Sequence, residues 1–403
     1  MPGPLDGIKV LDFTRNLNGG RCGVWLSDYG ADVIKLEPRI TGDFSRTAFP
    51  APPSDFSALF TCTARGKRGI TMDLKKEKAR EVVFKLAERC DVIISNYRIG
   101  VMERLGLGYE DIKKVNPKII YGRSSGYGPK GPLAMTPAND FTALTYGGFS
   151  SVTGTTEEPM RVSASIGDLA GALCFTLGIV LAVVARERFG IGQTVDTSLL
   201  GGTLMLQSFE LDWYCLEGKL PEQLRAGRYH SRLNATGGIH KTKDGWMAAG
   251  PAGAFDGYCE ALGIPEVIGD PRYDPREGTR DDQLKYVKEF GAILDKAFQK
   301  KTTQEWMEIL TKVDRNIQVA NVNTYEDVVH DPNEQSLENG YLIEMDMPGL
   351  GPTKIVGAPA TLGETPAKAQ GLPPQLGQHT EEVLLELGYS WEDIAEMSEE
   401  EVI

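Results

Sequence analysis

The sequence predicts an α/β protein with a Rossmann-like parallel sheet, because short apolar strands alternate with amphipathic helices along its first half. Two strand-helix-strand units can be assigned, over residues 8–37 and 70–95. A further strand is predicted at 119–122, and a strand or strand-to-helix junction at 193–199. Ligands of such sheets bind beyond the carboxyl ends of the strands. Residues just after each strand are therefore the first candidates for a site.

A smaller domain is predicted after the sheet. Residues 221–240 are polar and rich in Arg, Gly and His, which is typical of a crossing segment. Further elements are then expected as a hairpin turn at 242–246, helices at 255–262, 284–298 and 303–313, strands at 341–361 and an acidic helix at 380–387. The acidic tail from 382 to 401 is interpreted as a solvated helical face.

The composition of the chain indicates which binding partners and which cell compartment to expect. The chain carries 43 Lys plus Arg against 56 Asp plus Glu, a formal charge of −13, which disfavours nucleic acid as a partner. Its six cysteines show no CxxC pair and its four histidines (His230, His240, His330, His379) lack ligand spacing, so no metal site or disulfide framework is expected. The start lacks a secretory pattern. The scattered cysteines and this start predict a cytoplasmic protein. The most apolar stretch, residues 169–185, is interpreted as a buried core helix and not as a membrane span.

The first turn of the sheet leaves two interpretations open. Residues 17–23 offer Asn18, Gly20 and Gly23 where a dinucleotide-binding turn has three glycines. Glu37 ends the next strand, where a ribose-binding acid would lie. One hypothesis is therefore a nicotinamide-binding domain, and the other is a turn that packs a helix closely on a strand.

Two basic or glycine-rich segments follow strands. Arg98 and Arg104, with Lys67, Arg68 and Lys75, form a basic patch in an acidic protein, which suits a phosphorylated cofactor. Each of these cations could instead be a solvated surface charge. The loop at residues 123–132 either lines a site or is a cluster of surface turns.

Asp168 lies at the start of the long apolar helix. An aspartate in this position is most often an N-cap that accepts hydrogen bonds from the first amides of the helix. At the head of a wholly buried helix it would also be a carboxylate in a dry site, where nearby amides can stabilise developing negative charge. Asp168 is therefore a candidate catalytic residue.

Together these segments resemble the family III CoA-transferases, of the formyl-CoA and crotonobetainyl-CoA transferase type. The residues that carry the resemblance are 4–12, 30–37, 96–98, 104–106, 126–128, 167–168, 357–360 and 377–384. The resemblance implies a large Rossmann-like domain formed by residues 1–220 and 330–403, with a linker and small domain at 221–329. It further implies two interlocked subunits, either a homodimer or a pair with a homologous second subunit.

The resemblance also implies a site. Asp168 falls on the covalent nucleophile, acyl-CoA and a small carboxylic acid are the substrates, and no metal or permanently bound cofactor is needed. The CoA-binding positions would be Leu17, Asn18, Arg39, Met72, Asp73, Leu74, Lys75, Asn96, Tyr97, Arg98 and Arg104. Substrate-binding positions would be Asn139, Asp140, Gly237 and Gly238.

Some positions depart from the family pattern. Leu17 replaces a glutamine, Asn139 replaces a tyrosine, and only Gly237 and Gly238 remain of a four-glycine loop. These departures argue against formyl and oxalyl specificity, and succinyl-CoA with a larger carboxylic acid is the expected pair. Two alternatives stay open: an acyl-CoA racemase of the same fold and a non-catalytic CoA-binding subunit. The racemase would need a proton-shuttling histidine near Asn139, and retention of Asp168 argues against the binding subunit.

Overall fold

The chain forms two compact units. The computed structural model describes residues 2–153, 158–218, 228 and 236–403. The first unit contains residues 1–147, 164–208 and 332–403, and the second contains residues 148–163 and 209–331. His230 lies outside the described residues.

The first unit is built on a six-stranded parallel sheet. Its strands are β1 Lys9–Asp12, β2 Asp32–Glu37, β3 Arg68–Thr71, β4 Val92–Ser95, β5 Ile120–Ser125 and β6 Thr194–Ser198. They lie in the order β3-β2-β1-β4-β5-β6, and every neighbouring pair is parallel. This is the Rossmann strand order, with its topological switch point between β1 and β4. The predicted α/β class with a parallel sheet is confirmed.

Helices connect and cover the strands. They are α1 Asn16–Asp28, α2 Ala58–Ala64, α3 Glu77–Arg89, α4 Val101–Arg104, α5 Tyr109–Val115, α6 Asp140–Tyr146, α7 Phe149–Val152, α8 Ile166–Phe189, α9 Leu199–Leu206, α10 Ser208–Glu217, α11 Phe255–Leu262, α12 Arg280–Lys285, α13 Val287–Phe298, α14 Thr303–Val313, α15 Tyr325–Val329, α16 Gln335–Glu338, α17 Thr380–Glu386 and α18 Trp391–Glu399. Residues 148–163 and 209–220 lie in the second unit, although the sequence assigns them to the large domain. The second of these divisions falls after Ser208, the first residue of α10, where no Gly or Pro marks a break.

The sheet of the first unit has an apolar core on each face. Side chains along a strand alternate between faces, so Val10 packs with α1 and α8 while Leu11 packs with α3 and α5. The second core also contains Val383 of α17 and Ile394 of α18. Residues from beyond position 332 therefore complete the core of the sheet.

The second unit is a small α+β structure. Its antiparallel sheet has the order β7-β8-β9, with β7 Gly238–Lys241, β8 Trp246–Gly250 and β9 Gln318–Asn321. The expected hairpin at residues 242–246 joins β7 to β8. Phe298 and Trp306, from α13 and α14, lie in the core against this sheet. A separate antiparallel pair, β10 Leu342–Met347 with β11 Gly351–Val356, belongs to the first unit.

The long apolar helix α8 is only partly buried. Phe175 and Ile179 lie in the core, but Leu173, Leu177 and Leu181 are 42%, 60% and 58% exposed. The expectation of a wholly buried helix is therefore wrong, because only one side of α8 packs on the sheet and on α1. Among the described residues, α8 is the one helix long and apolar enough to cross a membrane, with a mean hydropathy of 2.2. A core helix of a soluble protein can have the same length and hydropathy.

The acidic tail does more than face solvent. Its glutamates on α18 are exposed, as expected, but Ile394 and Met397 on the opposite side are 4% and 5% exposed and join the core. The spacing of three residues places both apolar side chains on one face of the helix.

Candidate active site

A cleft of about 510 Å³ opens at the carboxyl ends of β1, β4 and β5. This is the switch point of the sheet, where Rossmann-type proteins bind ligands. The lining residues are Arg15, Asn16, Asn18, Asn96, Tyr97, Arg98, Ile99, Ser124, Ser125, Gly126, Ala134, Met135, Thr136, Pro137, Ala138, Asn139, Asp168 and Leu199. The cleft thus brings together six of the sequence-predicted site residues: Asn18, Asn96, Tyr97, Arg98, Asn139 and Asp168.

Asn96 fixes the loop that follows β1. Its Oδ1 accepts a hydrogen bond from the Arg15 backbone N–H at 2.8 Å, and its Nδ2 donates to the Arg15 carbonyl at 2.7 Å. The side-chain amide thereby acts on the backbone like a neighbouring strand. Arg15 and Asn16, which sequence reasoning missed, line the cleft because of this clamp. Their position directly after a strand is the signal that could have identified them.

Buried ion pairs lie beneath this loop. Lys67 Nζ donates to Asp12 Oδ2 at 2.6 Å, and both side chains are 0% exposed. Lys35 Nζ likewise donates to Asp43 Oδ2 at 2.8 Å and to the Thr14 carbonyl at 2.7 Å. Burial lowers the pKa of Lys67, and the neighbouring Asp12 opposes that effect. These contacts join β1 and the loop after it to β2 and to the residue just before β3.

Three charged residues do not have the roles that the sequence suggested. Lys67 is buried with Asp12 and cannot meet a phosphate. Arg68 bonds Asp32, Glu382 and Glu386 and belongs to a surface network. Glu37 is 1% exposed and is held by the guanidinium of Arg46 at 2.6 and 2.8 Å, so no ribose can reach it. The pairing of Glu37 removes the support for a nicotinamide-binding domain.

Asp168 lies in the first turn of α8, on the wall of the cleft. It is the third residue of the helix rather than its N-cap, which is Ser165, because the helix begins earlier than the apolar run. The Asp168 N–H donates to Asp140 Oδ1 at 2.9 Å. Burial, and then the negative charge of Asp140, raise the pKa of Asp168 to about 7. An aspartate with this pKa is partly protonated at neutral pH, as are many catalytic carboxyls.

A second contact orients the backbone of Asp168. Asn18 Nδ2 donates to the Asp168 carbonyl at 3.2 Å, and Asn18 Oδ1 accepts from Ser124 Oγ at 2.6 Å. Gly171 permits this approach, since a Cβ there would lie 2.1 Å from Asn18 Nδ2. Asn18 therefore connects α1, β5 and the start of α8.

The first amide after Asp168 cannot serve as an oxyanion donor in this state. The Leu169 N–H donates to the Ser165 carbonyl at 3.2 Å, within the first turn of α8. The hypothesis that amides after Asp168 stabilise an oxyanion is thus not supported for this residue. Its basis was an N-cap position, in which the following amides would have no helical partner.

A second cleft, of about 430 Å³, shares Tyr97 with the first. Its walls include five more predicted CoA-binding residues: Arg39, Met72, Asp73, Leu74 and Lys75. Contacts from far along the chain hold these walls, since the Asp73 N–H donates to the Val402 carbonyl at 2.8 Å and Arg39 pairs with Glu401 at 2.9 Å.

The remaining predicted positions lie elsewhere. Leu17, in α1, and the exposed Arg104, at the end of α4, line neither of these two clefts. Gly237 and Gly238 belong to the second unit, where Gly238 begins β7. Asp140 is 7% exposed and contacts Asp168 instead of lining the cleft.

Comparison with known proteins identifies the family. The model described as CoA-transferase family III matches residues 5–380. The chain belongs to CoA-transferase family III. This family III CoA-transferase is 31% identical to the human succinyl-CoA:glutarate CoA-transferase, over 95% of this chain and 86% of that protein. It is 36% identical to the acetyl-CoA:oxalate CoA-transferase of Acetobacter aceti, over 77% of this chain and 79% of that protein.

A solved structure supports the same assignment. A CAIB/BAIF family protein from Brucella suis superposes with a TM-score of 0.82 at 30% identity, over 96% of this chain and all of that one. This family III CoA-transferase is thus an enzyme, and CoA thioesters and carboxylates fit its family as substrates. The resemblance seen in the sequence is confirmed.

Replacement of Ser124 by Ala tests the role of Asn18. We expect kcat for CoA transfer to fall roughly tenfold with little change in KM. The variant removes the hydroxyl that donates to Asn18 Oδ1, so Asn18, which also bonds the Asp168 carbonyl, would no longer hold the start of α8 in place. Steady-state kinetics would measure both constants. Ser27→Ala is the matched control, since that buried hydroxyl bonds Gly66 away from the cleft. A larger change in KM than in kcat would show that Ser124 serves substrate binding instead.

Proposed function

We propose that this enzyme moves CoA from an acyl-CoA donor to a carboxylic acid acceptor through covalent intermediates on Asp168. The observation that carries the proposal is the Asp168 carboxyl on the wall of the cleft, in surroundings that raise its pKa to about 7. A carboxylate that has lost part of its solvation is a better nucleophile than one in water.

The donor half-reaction has two steps. Asp168 attacks the thioester carbonyl, its oxygen bonds to the acyl carbon, and the C–S bond breaks to give an aspartyl-acyl mixed anhydride and CoA thiolate. The thiolate then attacks the aspartyl carbonyl and expels the donor carboxylate, which leaves an aspartyl-CoA thioester. Each step exchanges one acyl bond for another without oxidation or reduction.

The acceptor half-reaction reverses these steps. The acceptor carboxylate attacks the aspartyl thioester carbonyl and releases CoA thiolate, which forms a second mixed anhydride. The thiolate attacks the acceptor acyl carbon of this anhydride. The new acyl-CoA departs and Asp168 becomes a free carboxylate again.

CoA is proposed to bind along the two clefts. Tyr97 lines both, so one extended ligand could pass it. Arg39 and Lys75 in one cleft and Arg98 in the other are cations suited to the phosphates of CoA. Asn139 and Asn16 line the cleft that contains Asp168 and would contact the acyl end.

For the donor we propose succinyl-CoA, and for the acceptor a carboxylic acid larger than oxalate. The human relative is named for succinyl-CoA and glutarate, which supports this pair, while the Acetobacter relative is named for acetyl-CoA and oxalate. Leu17 and Asn139 stand where formyl-type members have glutamine and tyrosine. Exchange assays with succinyl-CoA, acetyl-CoA and a panel of acids would rank the pairs.

The enzyme is further proposed to act as a dimer in the cytoplasm. The exposed leucines of α8 support a dimer, because Leu173, Leu177 and Leu181 lie on one helix face and form an apolar strip. A second copy of the chain, or a homologous subunit, would cover this strip. Sedimentation of the purified protein would give its oligomeric state.

Chemical trapping tests the covalent mechanism. We expect incubation with acyl-CoA followed by hydroxylamine or borohydride to modify Asp168, since both reagents attack an aspartyl thioester or anhydride. Peptide mass spectrometry would locate the adduct. Omission of acyl-CoA is the control, and an acyl-CoA incubation that leaves Asp168 unmodified while CoA exchange proceeds would exclude the aspartyl intermediate.

A further inference from the structure

The carboxyl of Asp140 has an arrangement that its own hydrogen bonds do not explain. Asp140 is the first residue of α6 and is 7% exposed. Its Oδ1 accepts from the Asp168 N–H at 2.9 Å, while its buried Oδ2 has no hydrogen-bond partner within the described part of the chain. A buried carboxyl oxygen without a partner costs free energy of folding. Such a group calls for a functional reason.

The local packing holds this carboxyl beside Asp168. Gly167 lies against it, since a Cβ at that position would be 3.1 Å from Asp140 Oδ1. Among the described residues, Asp140 is the one charged group that adds to the effect of burial in raising the pKa of Asp168. Two cations, Arg15 and Arg98, line the same cleft as Asp168. Neither of them is a cause of its raised pKa.

The other elements around Asp168 present uncharged groups. Helix α1 contributes the amide of Asn18 to the cleft, and α9 contributes Leu199. The N-cap of α6 is Asn139, whose side chain accepts from the Thr142 N–H. Within the part of the chain that the structure describes, no ion pair joins Asp140 to a cation of α1, α6, α8 or α9.

We propose that Asp140 is a positioning residue that acts on Asp168 by its charge. Buried beside the nucleophile and bonded to its amide, Asp140 favours the acylated form of Asp168 over the free carboxylate. This inference rests on the proposed function. When the Asp168 oxygen bonds to the acyl carbon and the C–S bond breaks, the negative charge leaves Asp168 and passes to the CoA sulfur. Repulsion between the two carboxyls is relieved in that step.

Asp140→Asn provides the test, because asparagine keeps an Oδ1 acceptor for the Asp168 N–H but carries no charge. We expect the acid limb of the kcat/KM profile to move from near pH 7 to lower pH by roughly one unit. The fraction of enzyme trapped as an adduct on Asp168 should fall at least about threefold. Asp111→Asn is the matched control, since it removes an equal charge from a partly exposed side chain that accepts a hydrogen bond from Lys114 and does not line the cleft.

A second readout does not depend on turnover. Folding raises the pKa of Asp168 from its usual value of about 4 to about 7. Between these two pH values the folded protein holds a proton on Asp168 that the unfolded chain has lost. The contribution of Asp168 to stability is therefore lost as pH rises from about 4 to about 7, and is constant above that. We expect this loss to be smaller in Asp140→Asn and absent in Asp168→Asn. Urea titrations at several pH values would measure it.

The outcomes separate this inference from the proposed function. If Asp140→Asn and Asp111→Asn give the same acid limb, adduct yield and pH dependence of stability, the role of Asp140 is refuted. If instead the wild-type protein forms no adduct and exchanges no CoA, the proposed function fails whatever the variants do. Asp140→Ser, which also removes the charge, provides the same comparison if the asparagine variant does not fold.

Discussion

Replacement of Asp168 by Ala is expected to reduce CoA transfer by a factor on the order of a thousand or more, with CoA binding nearly unchanged. The covalent route through a mixed anhydride needs a carboxylate, and Asp168 is the one carboxylate among the residues that line the cleft. The clefts that would hold CoA are lined by other elements and retain their side chains. Initial rates and isothermal titration with CoA would measure the two effects separately.

The control for this change is Asp168→Asn, which keeps the size of the side chain and removes the nucleophile. It should be as inactive as the alanine variant. Activity within tenfold of wild type in either variant would end the assignment of Asp168 as nucleophile. Loss of CoA binding together with activity would instead point to a collapse of the start of α8, where the Asp168 backbone bonds Asn18.

The second large effect is expected from Asp12→Ala, which removes the partner of a fully buried lysine. Lys67 would keep its hydrogen bond to the Gly20 carbonyl but would lose its counter-charge, and Thr14 would lose both of its bonds to Asp12 Oδ1. Breaking a buried pair from one side costs about 3–5 kcal/mol of unfolding free energy. Urea unfolding followed by tryptophan fluorescence would detect the change.

Lys78→Ala is the control for the ion pair. Lys78 bonds Glu396 and Glu400 on the surface, and all three side chains are more than a third exposed, so its removal should change stability little. If Asp12→Ala unfolds at the same urea concentration as Lys78→Ala, the buried pair does not stabilise the sheet as argued. The double variant Asp12→Ala with Lys67→Met should recover part of the lost stability, since it leaves no unpaired charge.

The sequence predicted the elements of the fold better than their pairing. Strands such as β1 and β4 are short apolar runs, which sequence patterns indicate readily. The two strand-helix-strand motifs that contain these strands are present in the structure as predicted. Strand β9 was missed because Gln318–Asn321 is mostly polar and lies at the edge of its sheet. Strand β3 ends at Thr71, so the apolar Met72 and Leu74 lie beyond the strand. Both of them line the second cleft.

The charged residues show why part of the site could not be predicted. Lys67 lies beside Arg68 in sequence, and nothing local indicates that its partner is Asp12, 55 positions earlier. The same holds for Asn18, whose partners Ser124 and Asp168 follow more than 100 positions later. Asp168 could be chosen as a candidate because part of its signal is local, an acid at the start of an apolar helix, whereas its role as nucleophile came from the family resemblance and stays a prediction. Its tether to Asp140 required the structure.

The pair of Arg39 with Glu401 makes Glu401 part of the second cleft, and the bond from Asp73 to the carbonyl of the buried Val402 holds its wall. Arg39 and Glu401 are 362 positions apart, so this wall is closed by contacts between remote parts of the chain. Contacts of such separation form slowly during folding, since a long loop must close first. The sheet can thus assemble before the second cleft is finished, and a truncation or bulky fusion at these residues would disturb that cleft while leaving the strands intact.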